Sequence, residues 1–218
     1  MVDSESGRRR YDSLHRMAQA KQTHAEIAAA ARRLFLARGW AATTVREVAR
    51  EAGVSAPTVY AAYANKSGLV RALVDSADLS ADPVRMVAEL ESTPDPRRQL
   101  AAMVGYDRRL FERAGDLIAL LREAGRVEPD LAAAYEEGRR LADRTRREVF
   151  SAWPANTLRP DLDLATAVDI YAALCNIDVY TTLIAERGWP PQRIEEWWAA
   201  ALDRELLDQK RKANARKR

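Results

Sequence analysis

One twenty-residue segment, Thr44–Tyr63, constrains this chain more than any other, because it writes two short helices and the break between them. Thr44 followed three residues later by Glu47 is a capping-box pattern. Its hydroxyl can accept from the N3 amide while the N3 carboxylate reaches back to the cap. Val45, Val48 and Ala49 then recur at helical spacing, and Gly53 breaks the run. Ser55 caps a second helix. Pro57 is tolerated in its first turn, where N–H groups have no intrahelical partner. Val48, Ala49, Val54 and Val59 make a small shared core. Two short helices across a Gly turn form a helix-turn-helix, whose first helix crosses a DNA backbone and whose second enters the major groove.

The rest of the chain reads as helix. Nine Gly and nine Pro punctuate 218 residues. The Ala/Leu/Arg/Glu-rich stretches between them lose little rotamer freedom in a helix. No convincing run of alternating β-branched residues is present, so the expected fold class is all-α, with about nine helices. A first helix is expected from a Thr23 N-cap, with Glu26 reaching back, to Gly39. Ile27, Ala31, Leu34 and Phe35 form its inner face and Trp40 covers the core end. Asn65 is expected to cap a fourth helix carrying Leu69, Val70, Leu73 and Val74. Further helices are expected after Pro83, over 96–113, 115–125, 129–152, 163–187 and 191–207. The domains then read as a flexible basic arm over 1–21 with Arg8, Arg9 and Arg10 clustered, a DNA-binding domain over 22–68, a second helical domain over 69–208, and a basic tail over 209–218.

Charge follows the same division. Residues 1–70 carry +5 and residues 209–218 carry +6, while 71–208 carries −8 within an overall +3. A basic head on an acidic body is the distribution of a protein that meets a polyanion at one end. The arm reads first as a solvated tail and second as an arm for a minor groove, and the C-terminal tail is expected to add salt-sensitive attraction to phosphate. Cys175 is the one cysteine, which excludes an internal disulfide and a cysteine zinc site. His15 and His24 lie near the N-terminus. No glycine-rich phosphate loop, metal-ligand cluster or nucleophile–base arrangement is evident, so an enzyme, a metal and a cofactor are not expected. With no signal-type segment and no apolar stretch of bilayer length, the expected location is the cytoplasm.

The run Thr43-Thr-Val-Arg-Glu-Val-Ala-Arg-Glu-Ala-Gly-Val-Ser-Ala-Pro-Thr-Val-Tyr-Ala-Ala-Tyr-Ala-Asn-Lys-Ser-Gly-Leu69 closely resembles the DNA-binding domain of the TetR family of regulators. Ala31-Arg-Arg-Leu-Phe-Leu-Ala-Arg-Gly-Trp40 is similar to that family's first helix. The resemblance covers about residues 23–74. It implies that Thr44 and Arg46 contact phosphate, with Arg46 reaching toward a base. It implies that Ala56, Pro57 and Thr58 lie against base edges or the thymine methyl, that Tyr60, Tyr63 and Lys66 grip phosphates, and that Ser55 belongs to the same DNA-binding set. Tyr63 stands where the family usually has Phe, a position that can be mainly core, and Ser67 where an acid is common. The second helix of the motif has no Arg, Asn or Gln for a bidentate base contact. Readout would then rest on Arg46, Thr58, apolar contact and DNA shape.

The resemblance further implies an effector pocket among helices 5 to 8 and a dimer interface from the last two helices. Tyr106, Leu110, Leu117, Leu121, Tyr135, Tyr171, Cys175 and Asp178 are the pocket candidates, and each also fits as plain core. Asn176 and Asp178 stand out, because polar groups in an apolar helix need partners. Tyr171, Leu174, Ile177, Leu183, Ile194, Trp197, Trp198 and Ala201 are the interface candidates, since two such faces can pair as a four-helix bundle. The expected partners are a palindromic double-stranded DNA operator, a second copy of the chain and a small-molecule effector. The alternative is a constitutive, ligand-independent regulator or an activator.

Overall fold

The computed structural model describes the backbone of residues 3–208 and the side chains of His15, Met17–Ser76 and Ala81–Asp208. Among the described residues, ten α-helices and one π-helical turn follow in order. They are α1 (Asp3–Arg38), α2 (Val45–Glu51), α3 (Ala56–Tyr63), α4 (Lys66–Ser80), α5 (Pro83–Glu91), α6 (Pro96–Ala124), α7 (Pro129–Ser151), α8 (Leu164–Leu174), α9 (Ile177–Thr181), the π turn (Thr182–Glu186) and α10 (Pro191–Leu206). No strand occurs among the described residues. A single antiparallel bridge pairs Leu158 with Leu207. Two compact units, Met1–Leu73 and Val74–Arg218, divide the chain.

In the first unit, Ile27, Ala30, Ala31, Leu34 and Phe35 of α1 are buried, as are Trp40, Val45, Val48, Ala49 and Val59. Gly39 adopts φ +76° and ends α1. Trp40 then folds back with its ring stacked on Phe35, centroids 5.8 Å apart. Buried Thr43 closes the turn by donating to the carbonyls of Gly39 (2.9 Å) and Leu34 (3.2 Å). The expected arm over 1–21 is helical from Asp3 onward, and Thr23 lies inside α1 instead of capping it. Helix formers such as Ala18, Ala20, Lys21 and Gln22 leave no stop signal there, and Gln22 Nε2 donates to Glu26 Oε1 (2.8 Å) across the expected boundary. The Arg8–Arg10 side chains and the tail over 209–218 lie outside what is described.

In the second unit, α6 packs against α5, α7, α9 and α10. The sequence pattern predicts two helices there, but α6 is continuous through Gly115. A Cβ at this glycine would stand 3.0 Å from Ile177 Cδ1, so the glycine permits close approach by α9. The expected single helix over 163–187 is instead divided. Asn176 caps α9, its Oδ1 accepting from the amides of Asp178 (2.9 Å) and Val179 (3.0 Å) while its Nδ2 donates to the carbonyl of Ala173 (2.7 Å). The stretch Leu164–Glu186 is long and apolar enough to cross a membrane by length and composition, which corrects the expectation that none is. It buries Ala167, Val168, Tyr171, Ile177 and Tyr180 in the core of this unit. Arg97–Asp203 (2.7 Å) and Arg108–Glu195 (2.8 Å) tie α6 to α10.

Candidate nucleic-acid interface

The helix-turn-helix is built as its caps dictate. Thr44 is extended (φ −119°, ψ 154°), and its amide donates to Glu47 Oε2 (2.9 Å) while its hydroxyl accepts from the Glu47 amide (3.2 Å). The same hydroxyl donates to Glu47 Oε2 (2.8 Å). These bonds, led by that from the hydroxyl, hold the Glu47 carboxyl below its ordinary value, and nearby Arg38 and Arg50 add to the effect. Arg38 Nη1 reaches Glu47 Oε1 at 3.0 Å and Arg33 Nη2 reaches Glu51 Oε1 at 3.1 Å, tying α1 to α2. Gly53 takes φ +68°, where a glycine carries no Cβ penalty, and Val54 N then donates to Ala49 O (3.0 Å). Ser55 caps α3 by accepting from Thr58 N (3.3 Å), and the two hydroxyl oxygens stand 2.8 Å apart.

Several expected DNA contacts have their polar atoms engaged inside this unit. The hydroxyls of Thr44, Ser55 and Thr58 serve the caps. Tyr63 donates its hydroxyl to the carbonyl of His24 (2.9 Å), with the two rings 5.3 Å apart, and burial pushes its phenol up. The Lys66 ammonium donates to the carbonyl of Trp40 and stands 4.0 Å from the centroid of that ring. What faces outward is Arg46 from α2, with Ser55, Pro57 and Tyr60 from α3, while Ala56 and Thr58 are half-buried. Tyr60 is 51 % exposed. Helix α3 carries no charged residue, so no carboxylate on it opposes an approaching phosphate.

The turn from α3 to α4 holds two features that the sequence reading missed. Ala64 sits at φ 62°, ψ −50°, and Asn65 N donates back to Tyr63 O (2.6 Å), closing a three-residue γ-turn. At Gly68 a Cβ would fall 2.0 Å from the Tyr63 carbonyl oxygen, so only glycine fits. The signal for Gly68 is its place three residues after Asn65, whose Oδ1 accepts from the Gly68 amide (2.7 Å).

Residues 27–73 match the family model described as bacterial regulatory proteins, tetR family. The likeness to the tetR family is thus carried by this N-terminal segment, which holds the helix-turn-helix. It is 40 % identical over 78 residues to the HTH-type transcriptional regulator TtgR of Pseudomonas putida, covering 36 % of this chain and 37 % of that protein. The probable HTH-type transcriptional regulator ArpR of Pseudomonas putida matches to the same extent. The chain thus spans little more than a third of these relatives' length. Over most of the chain, the fold is similar to that of NalD, the secondary repressor of the MexAB-OprM multidrug efflux pump in Pseudomonas aeruginosa. There the TM-score is 0.70 at 22 % identity, covering 87 % of this chain and 98 % of that one. KstR2 of Mycobacterium tuberculosis, a ketosteroid transcriptional regulator, matches with a TM-score of 0.62 at 20 % identity, covering 85 % and 95 %.

In the second unit, Leu117, Leu121, Tyr171 and Cys175 are buried, while Tyr106, Leu110 and Tyr135 are half-buried. Asp178 is corrected. It is exposed in the first turn of α9 and pairs with Arg122, whose charge Tyr135 also supports. A surface recess lies elsewhere, along the loop Trp153–Leu162. The interface reading narrows as well. Tyr171, Ile177, Ile194, Trp198 and Ala201 are buried within the single chain, where they serve its own core. The vicinal tryptophans divide, Trp198 inward and Trp197 half-buried with its ring edge-on to Trp189 at 6.0 Å. Leu174 and Leu183 are half-buried too. Absent from the expected set are Asp107 and Arg146, charged residues on buried faces of α6 and α7. The signal is present in the spacing Leu100, Val104, Asp107, which puts a carboxylate on an apolar stripe.

Proposed function

We propose that this chain is a DNA-binding transcriptional repressor that binds a palindromic operator as a homodimer and is released by a small-molecule effector. The observation that carries the reading is the outward face of α3. Ser55, Pro57 and Tyr60 are exposed on an acid-free helix, behind a capped α2 that presents Arg46. Among the described residues Arg46 makes no ion pair, so its charge is available to a phosphate or a base. NalD, a repressor of similar fold, supports repression over activation. Such a role belongs in the cytoplasm, where the DNA is.

Two heads must sit about 34–36 Å apart to read successive major grooves. Leu174, Leu183 and Trp197 remain as the candidate face for a second copy, with the Arg193 guanidinium 4.0 Å over the Trp189 ring beside them. An effector that favours another head spacing releases DNA by no more than its differential affinity for the two states. Gel shift with the palindromes flanking the chain's own gene is the test. Saturable, sequence-specific retardation by a dimer is expected, and its absence at moderate salt overturns the reading.

The burial of Leu117, Leu121, Tyr171 and Cys175 favours a second reading, a constitutive regulator with a filled core. Operator binding that no small molecule relieves would establish it.

A further inference from the structure

Asp107 on α6 and Arg146 on α7 are opposite charges buried together, 7 % and 8 % exposed. Their fit is poor. Arg146 Nη2 stands 3.5 Å from Asp107 Oδ2, an ion pair with no hydrogen bond, while its Nη1 donates to Asp143 Oδ1 at 2.7 Å. The guanidinium carbon lies 4.6 Å from the centroid of the Tyr171 ring. Asp107 Oδ2 and the fully buried Tyr171 hydroxyl complete no well-formed hydrogen bond, although the two side chains interact with each other. Loss of water raises the proton affinity of the Asp107 carboxyl against the pull of Arg146, and holds the Tyr171 phenol and Cys175 thiol neutral. A buried pair with orphaned oxygens is a weak source of stability. A planar cation held between carboxylates and an aromatic face is, however, the chemistry that recognises an organic cation.

We propose that Arg146 is a resident stand-in for the effector, a lipophilic organic monocation that takes the guanidinium's place between Asp107 and the Tyr171 ring. This rests on the effector-responsive reading above. The displaced guanidinium keeps Asp143, whose side chain is one-third exposed, as its partner at the α7 surface. No cavity need exist beforehand, since the space is the guanidinium's own. Asp107, Asp143 and Arg146 together carry one net negative charge, which a monocation balances and an anion does not. Phe150, its ring 6.2 Å from that of Tyr171, and Trp153 beyond it offer apolar walls to aryl or alkyl substituents.

The test titrates the full-length protein with benzyltrimethylammonium, its uncharged carbon analogue neopentylbenzene, and phenylacetate, following tryptophan fluorescence. The cation is expected to bind about tenfold more tightly than the other two. Asp107→Asn and Tyr171→Leu are each expected to weaken it about tenfold, and Arg146→Gln to strengthen it by removing the competitor. The last result separates a displaced stand-in from a merely structural arginine, and it decides the matter if circular dichroism finds either of the other variants unfolded. Equal binding of the cation and its carbon analogue, or unchanged or weaker cation binding by Arg146→Gln, overturns the proposal. Cation binding that leaves an operator complex intact overturns effector release but not this site. Release by a ligand indifferent to Asp107→Asn overturns this site alone.

Discussion

The Lys66 ammonium lies over the Trp40 ring and donates to the Trp40 carbonyl, so the first residue of α4 closes the end of α1. A lysine at a helix N-terminus invites a phosphate-binding role, because charge and backbone amides both favour an anion. Here the side chain is half-buried and already engaged, and leaving Trp40 would expose that carbonyl and ring. The same economy governs the Thr44, Ser55, Thr58 and Tyr63 hydroxyls, each held inside the first unit.

Lys66→Met keeps the aliphatic stem and removes the charge. The expected loss is about 2 kcal/mol of stability, the sum of a partly desolvated cation–π contact and one hydrogen bond. The dependence of DNA affinity on salt should stay unchanged. A side chain that neutralises a phosphate would instead lower that slope by about one on substitution. Urea melts beside salt-dependent gel shifts distinguish the two.

Tyr60 and Tyr63 lie within one turn of each other, yet removal of their hydroxyls should act on different properties. Tyr63→Phe leaves the His24 carbonyl without its donor and is expected to cost about 1 kcal/mol of stability with little change in DNA affinity. Tyr60→Phe should leave stability unchanged, since its hydroxyl makes no hydrogen bond among the described residues, and weaken DNA binding about fivefold. Denaturant melts and fluorescence anisotropy on one operator duplex, run on both variants, check the pair.

The helix-turn-helix was legible because its rules are local. Thr44, Glu47, Gly53 and Ser55 fix caps and a turn through neighbours no more than four residues away. What went unread depends on distant packing. Gly115 resembles a breaker until Ile177 arrives at 3.0 Å from where a Cβ would be. Asn176 and Asp178 resemble buried polar groups in one long helix, whereas Asn176 starts a new helix and Asp178 meets Arg122 from α6 at the surface. Trp197 and Trp198 demanded two environments, but the sequence could not say that the chain's own core takes one of them. Arg146 reads as surface by residue type, and only the place of Asp107 on α6 gives it a buried partner.

The γ-turn after α3 yields two substitutions of opposite sign. Ala64 at φ 62° carries a Cβ penalty that glycine avoids, so Ala64→Gly is expected to stabilise by about 1 kcal/mol, even after the added freedom of the unfolded chain. Gly68→Ala drives a Cβ into the Tyr63 carbonyl and should cost about 2–3 kcal/mol. Thermal melts of the two variants, read against the parent, check both signs. A stable Gly68→Ala protein would refute the turn geometry.

Acid should dismantle the α2 cap before it unfolds the helices. The Glu47 carboxylate accepts from the Thr44 amide and hydroxyl, which lowers its pKa in the folded state below the ordinary 4.5. A carboxyl with a depressed folded value contributes stability that is fully present above its unfolded pKa. That contribution is lost as pH falls through the folded one, because the unfolded chain takes up the proton first. Glu47→Gln keeps a hydrogen-bonding side chain at N3 but removes the titration. At neutral pH it should unfold at lower urea than the parent, and the gap should close as pH drops below 4.5 toward the depressed value. Urea midpoints of both proteins across that range give the measurement. A gap of constant size would mean that Glu47 contributes through shape and not through charge.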